Sequence, residues 1–215
     1  MIERIRTSAG LLTVLTFVIF FEKYFEFSIV ILGLSFYELW KNFRNTEKIW
    51  LIVATIHCLG ILAINLPMRK EDIIFIIGVV FANDSAALIG GKYLNFFKKP
   101  IFPKTSPKKT WGGFFWGIFG GISFALIFNY YFSVISERKT LLVVATLIVL
   151  FAVLGDFVES FIKRKAEIKD SGKDLFTGEI IFAGHGGVYD RFDALSFVFA
   201  GIFLFGFLWK IFFWF

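Results

Sequence analysis

Seven apolar segments, separated by short charged ones, run through this chain. They are roughly Ser8–Phe21, Tyr24–Trp40, Ile49–Leu66, Asp72–Gly90, Trp111–Phe132, Leu141–Ser160 and Ala194–Phe215. A helix needs about 20 apolar residues to cross the hydrocarbon core of a bilayer. Some of these segments are shorter, and the first two can form a single tight helical hairpin. Open strands leave backbone groups unsatisfied in lipid, so each segment reads as a helix. Composition agrees: 57% of the 215 residues are hydrophobic, 19% are charged and the mean hydropathy is +0.74. A soluble domain is about 45–50% apolar and about a quarter charged. The expected fold is an all-α polytopic membrane protein of about seven transmembrane helices. Arg4 and Arg6 precede the first apolar run as in a secretory signal, but Glu22, Lys23 and Tyr24 follow it and no small-residue cleavage site does. That run reads as a retained span.

Charge placement predicts the sidedness. With the N-terminus in the cytoplasm, the inside segments are Met1–Thr7, Lys41–Lys48, Gly91–Thr110 and Phe161–Asp193. They hold 17 of the 23 Lys and Arg residues, with Lys92 counted there; Lys23, Arg69, Lys70, Arg138, Lys139 and Lys210 lie outside. This is the asymmetry of the positive-inside rule. The expected organisation is an N-terminal set of transmembrane helices over 1–71, followed by a catalytic membrane region over 72–215. Its loops, 91–110 and 161–193, put the active site on the cytoplasmic face of a cell (inner) membrane. The net charge of +6 then faces lipid headgroups and phosphates, and nucleic acid is not the expected partner. The single cysteine, Cys58, excludes an intramolecular disulfide and a cysteine metal cluster. With only His57 and His185 besides, an expected metal is a hard cation held by oxygen.

Three constellations carry the chemistry. Asn83, Asp84 and Ser85 lie inside the fourth apolar segment, where an ionisable group is costly and marks function; Ala86, Ala87, Gly90 and Gly91 beside them permit close helix approach. Lys104, Lys108 and Lys109, with Thr105, Ser106 and Thr110, stand just before the fifth segment, where cations and hydroxyls at a helix N-terminus make a phosphate cradle. A basic juxtamembrane loop that only sets topology fits the same residues. In the third constellation, Asp156, Glu159, Ser160 and Lys163 fall three and four apart on one helix face. Downstream come Lys169 and Asp170, then Gly184-His-Gly-Gly-Val-Tyr-Asp-Arg-Phe-Asp193, with Asp190 and Asp193 three apart. Carboxylates grouped at an interface suit magnesium, and adjacent lysines suit phosphates.

These residues resemble the CDP-diacylglycerol synthases, or phosphatidate cytidylyltransferases. The resemblance rests on Ser160-Phe-Ile-Lys163-Arg164, Lys169-Asp170-Ser-Gly172 and His185-Gly-Gly-Val-Tyr-Asp190-Arg191-Phe-Asp193, with Ser106–Trp111 and Asp84-Ser85 upstream. It covers roughly Phe81 to Asp193 and implies the reaction CTP + phosphatidate → CDP-diacylglycerol + pyrophosphate. It further implies Mg2+ at Asp156, Asp190 and Asp193, with Glu159 and Asp170 as second choices. By the same resemblance, Lys163 and Lys169 are expected to join the three aspartates in catalysis. Asp84, Ser106, Lys108, Lys109, Ser160, Arg164, His185 and Arg191 are expected to bind the substrates. CTP, phosphatidate and membrane lipids are the implied partners, and the small residues in the spans permit a homodimer. Two departures stand out. Lys173–Ala183 enlarges the loop before His185, and Gly112 stands where the family commonly has glutamate. Other readings stay open: a cytidylyltransferase for another lipid phosphate, such as an archaeal ether lipid; a transporter built on Asp84 and Asp156; and a non-catalytic scaffold.

Overall fold

The computed structural model describes residues 13–14, 16–43, 49–94, 97–103, 105–167 and 187–213. Among the described residues, seven helices carry the apolar segments. They are α1 (described over 16–21), α2 (Tyr24–Phe43), α3 (Ile49–Ala63), α4 (Lys70–Tyr93), α5 (Trp111–Phe132), α6 (Arg138–Lys165) and α7 (Tyr189–Phe213). Among the described residues, α4, α5 and α6 are long and apolar enough to cross a bilayer. At 1.5 Å per residue, the 15 residues of α3 reach about 22 Å, short of the roughly 30 Å hydrocarbon core. The protein is thus a helical membrane protein, and three of its described helices meet the requirement for a span by themselves.

The chain divides into two compact units, and the boundary falls within α6. One unit comprises Pro67–Ser160. Here α4 and α5 pack along their length because both present small residues. Gly113, Gly117 and Gly121 recur every fourth position on α5, and α4 answers with Asn83, Ala87 and Gly91. A Cβ on Gly113 would stand 3.0 Å from the Ala87 carbonyl oxygen, and one on Gly117 2.7 Å from Asn83 Oδ1. The glycine ladder therefore sets how closely the helices approach, the usual device where lipid supplies no hydrophobic drive. Ile73, Phe75, Val79, Ala145, Ile148 and Val149 are buried in this unit.

The segment 91–110, expected as a loop, contains a short antiparallel hairpin. Strands β1 (Pro100–Phe102) and β2 (Ser106–Thr110) pair with Pro100 opposite Thr110 and Phe102 opposite Ser106. β2 runs directly into α5 through Thr110, whose Oγ1 accepts from Gly113 N at 3.2 Å as an N-cap. Trp111 N and Gly112 N donate to the Lys99 and Phe97 carbonyls, both at 3.1 Å. The leading amides of α5 are therefore satisfied by its own approach segment.

The other unit joins residues 1–66 with 161–215. α2, α3 and α7 pack together, with Leu39, Ile61, Val188, Tyr189, Val198 and Phe199 buried. Phe27 on α2 meets Phe192 on α7 edge-on, with ring centroids 5.8 Å apart. Gly60 on α3 lies so close to the Ser196 backbone of α7 that a Cβ would run into it. Two helix bounds differ from the expected segments here. α6 continues past Ser160 to Lys165, and α7 starts at Tyr189 instead of Ala194. Lys163, Arg164, Asp190, Arg191 and Asp193 thus lie on helices.

Candidate active site

Within the Pro67–Ser160 unit, a cavity of about 540 Å³ opens between α4, α5, α6 and the hairpin. That volume falls in the range of about 300–1,000 Å³ typical of small-molecule sites. Its polar lining includes Asn83 and Asp84 from α4, Ser106, Lys108 and Lys109 from β2, and Asp156 from α6. Ile101, Phe114, Val153 and Phe157 supply apolar wall. Seven of the polar residues singled out from the sequence, Asn83, Asp84, Ser106, Lys108, Lys109, Thr110 and Asp156, therefore face one space.

The interactions in this cavity are charged and local. Lys109 Nζ pairs with the Asp156 carboxylate and lies 4.8 Å from the centroid of the Phe157 ring, a cation–π position. Asn83 Nδ2 donates to Asp84 Oδ1 at 2.9 Å. One turn beyond Asp156, Glu159 is buried, and its Oε2 accepts from Ser160 Oγ at a long 3.5 Å. Lys108 is exposed at the rim. Gly112 is buried at the head of α5.

In the other unit, the residues of interest gather at the junction of the last turn of α6 and the first of α7. Lys163 Nζ lies 3.5 Å from Asp190 Oδ1, with both side chains largely shielded from solvent. Asp190 Oδ2 accepts from Gly187 N at 3.0 Å. Asp193, one turn on, is buried, and its backbone carbonyl accepts from Ser196 Oγ at 2.8 Å. Arg164 and Arg191 are exposed. Lys169, Asp170 and His185, and the enlarged 173–183 stretch, lie outside the described residues.

Two contributors were not singled out from the sequence. Glu38, fully buried on α2, accepts from Val188 N at 2.8 Å through Oε1 and from Tyr189 N at 2.9 Å through Oε2. His57, fully buried on α3, places Nδ1 2.8 Å from Ser196 Oγ, with its ring edge-on to Tyr189. Ser196 Oγ donates to the Asp193 carbonyl, so it accepts from His57, which places the imidazole proton on Nδ1. The signal available in the sequence was an ionisable residue inside an apolar run, the same one that drew attention to Asp84.

Carboxylates dominate the possible metal ligands. Asp156 and Glu159 each offer an oxygen within 4.8 Å of the other, and the Asp156 carboxylate already holds the Lys109 ammonium. An all-oxygen donor set that gathers positive charge fits a hard divalent cation such as Mg2+. Beside it, Lys108 and Lys109 offer cations for phosphate oxygens.

Sequence comparison agrees with this chemistry. The sequence model of the cytidylyltransferase family matches residues 69–209. A phosphatidate cytidylyltransferase of Rickettsia felis is 31% identical over 214 residues, covering 89% of this chain and 86% of the relative. One from Rickettsia bellii is 32% identical over 209 residues, covering 89% and 85%. One from Aquifex aeolicus reaches 42% identity over 126 residues, 58% of this chain and 42% of the relative. With the family's pattern spanning the cavity, the hairpin and the head of α7, the chain belongs to the cytidylyltransferase family.

Proposed function

We propose that the protein transfers the cytidylyl group of CTP to phosphatidate, giving CDP-diacylglycerol and pyrophosphate in phospholipid biosynthesis. The observation that carries this reading is the cavity in which Lys108, Lys109, Asp84 and Asp156 meet between apolar helices, in a chain of this family. Such a site can hold a polyanionic nucleotide while the acyl chains of the second substrate stay in lipid.

An oxygen of the lipid phosphate attacks the α-phosphorus of CTP, and the bond to the β-phosphate oxygen breaks as pyrophosphate leaves. The nucleophile is already an anion at neutral pH, so no strong base is needed. The task is to align two polyanions and neutralise their charge. Lys108 and Lys109 serve the phosphates from the hairpin, and Ser106 offers a hydroxyl beside them. Asp84, paired with Asn83, presents an acceptor for a substrate donor. Ser160, Arg164 and Arg191 serve the substrates too, as does His185. Lys163, held by Asp190, and Lys169 supply further positive charge. We assign Mg2+ ligation to carboxylates among Asp156, Glu159, Asp170, Asp190 and Asp193; when bound there, Mg2+ would supply positive charge against the phosphates.

We place the protein in the cell (inner) membrane as a seven-span protein, the helices over 1–71 preceding a catalytic region over 72–215. The N-terminus and the loops 91–110 and 161–193 face the cytoplasm. The charge asymmetry of 17 to 6 supports this orientation.

The test is Mg2+-dependent pyrophosphate release from CTP by the purified protein in mixed micelles, with and without phosphatidate, the lipid product being identified by mass. Release should require both substrates, fail with ATP, and fall by about 10²–10³ in kcat in Asp193→Asn, the scale of a lost electrostatic contribution to the transition state. Near wild-type turnover in Asp193→Asn would remove that residue from the site. No release with phosphatidate or with an ether-lipid phosphate would overturn the reading.

A further inference from the structure

We infer that Glu38, on a helix outside the family's matched region, is a positioning residue for the reaction: its carboxylate fixes the first turn of α7, which presents Asp190 and Asp193. The inference rests on the role proposed for those two aspartates.

A helix begins with amide groups that have no partner within it, and an end buried without partners is unstable. At the head of α7 that requirement is acute, because Gly187, Val188 and Tyr189 are all buried. Three acceptors meet it. Asp190 takes the Gly187 amide, and the two oxygens of Glu38 take the Val188 and Tyr189 amides, from residues 150 and 151 positions along the chain. Two parallel N–H groups on one carboxylate call for an acceptor-only group, and the positive end of the helix dipole adds to the attraction. No hydroxyl or amide side chain at Val188 itself could do this, since valine has none.

The geometry reaches beyond holding a helix in place. Asp190 is the next residue after the second anchored amide, and Asp193 follows one turn later on the same face. A shift in the anchored pair would rotate or fray the turn that carries Asp190 and leads into Asp193. α3 grips the following turn independently, through His57, Ser196 and the Asp193 carbonyl. With that second hold, removal of the Glu38 interaction should loosen the head of α7 while its body stays packed. Groups that orient metal and substrate ligands in this way commonly carry about 10–100-fold in metal affinity or activity.

The test compares wild type, Glu38→Gln and Glu38→Asp, purified in detergent, by kinetics and by amide hydrogen exchange, with Asp193→Asn alongside. The carboxamide of Glu38→Gln keeps the shape but replaces one acceptor with a donor facing an N–H. Expected for Glu38→Gln is a kcat loss of about tenfold or more, with the Mg2+ concentration for half-maximal rate raised and KM for CTP moved less than about twofold. Exchange should accelerate at Val188 and Tyr189, while peptides from α4 and α5 remain unchanged. Glu38→Asp, which retains two acceptor oxygens, should recover part of both effects. A kcat within about twofold of wild type with unchanged exchange in Glu38→Gln overturns the inference. So does a loss of protection spread evenly over all helices, the mark of a merely structural role. If Glu38→Gln does not yield folded protein, Glu38→Asp decides by the same two readouts. If wild type makes no CDP-lipid, the proposed function falls, and site-resolved exchange still decides whether Glu38 anchors the turn. If wild type is active, Asp193→Asn is inactive and Glu38→Gln is unaffected, the function stands and the Glu38 inference falls.

Discussion

Among single residues, Lys109 has the most to do. It pairs with Asp156, lies over Phe157 and lines the cavity, so its ammonium stands where a cation would sit at that carboxylate. A charge-assisted hydrogen bond is worth about 1.5–3 kcal/mol, so Lys109→Met should lower kcat/KM for CTP by about 10- to 100-fold. Steady-state kinetics in mixed micelles check this, and Lys109→Arg, which keeps the charge, should recover part of the loss. An unchanged kcat/KM would remove Lys109 from substrate binding. Lys109 was legible in the sequence because its neighbours in the chain, Ser106 and Lys108, are also its neighbours in the cavity. Glu38 was not, because its partners are 150 residues away and are backbone amides, which leave no mark on the residue types at 188 and 189. His57 escaped for the same reason: Ser196 is an unremarkable hydroxyl until the fold brings it within 2.8 Å.

For helices, contact distances matter more than residue types. Gly60 and Gly33 both lie in helix interiors, on α3 and α2, yet they should respond to alanine with opposite signs. A Cβ at Gly60 collides with the Ser196 backbone, which has no rotamer to yield, so Gly60→Ala should destabilise by about 1–3 kcal/mol. A Cβ at Gly33 meets nothing within 4 Å, so Gly33→Ala should stabilise by roughly 0.5–1 kcal/mol, the gain of removing a flexible residue from a helix. Thermal unfolding in detergent, read as the direction of the Tm shift in each variant, checks both. The apolar segments were legible because lipid imposes length and hydropathy on the sequence. Their ends were less so. α7 starts five residues before Ala194 because Asp190 and Glu38 satisfy its leading amides, and only the first of these is local. The hairpin at 100–110 was hidden because its pairing is so short and because Pro100, Pro107, Lys108 and Lys109 are poor strand formers. The ladder of Gly113, Gly117 and Gly121 went unnoticed for a different reason: the small residues of α4 drew attention, but the helix that answers them could not be named without the fold.

For the whole molecule, hydropathy and charge decide the class, and the family's pattern decides the chemistry. Sidedness can be tested with one thiol. In a Cys58→Ser background, a cysteine at Thr105, between the two strands of the hairpin, should react with an impermeant maleimide in inverted vesicles and stay unlabelled in intact cells. The opposite pattern would reverse the orientation. The two helix starts described above carry a consequence of their own. The leading amides of α5 are engaged by Phe97, Lys99 and Thr110, and those of α7 by Asp190 and Glu38. Backbone amides are the part of an anion site that any substitution short of proline leaves in place, and at these two starts the amides just named are already committed to the fold. On the proposed function, recognition of phosphate there falls to side chains, each encoded by its own codon, so nucleotide preference in such a protein can drift or be redesigned one residue at a time without rebuilding a helix.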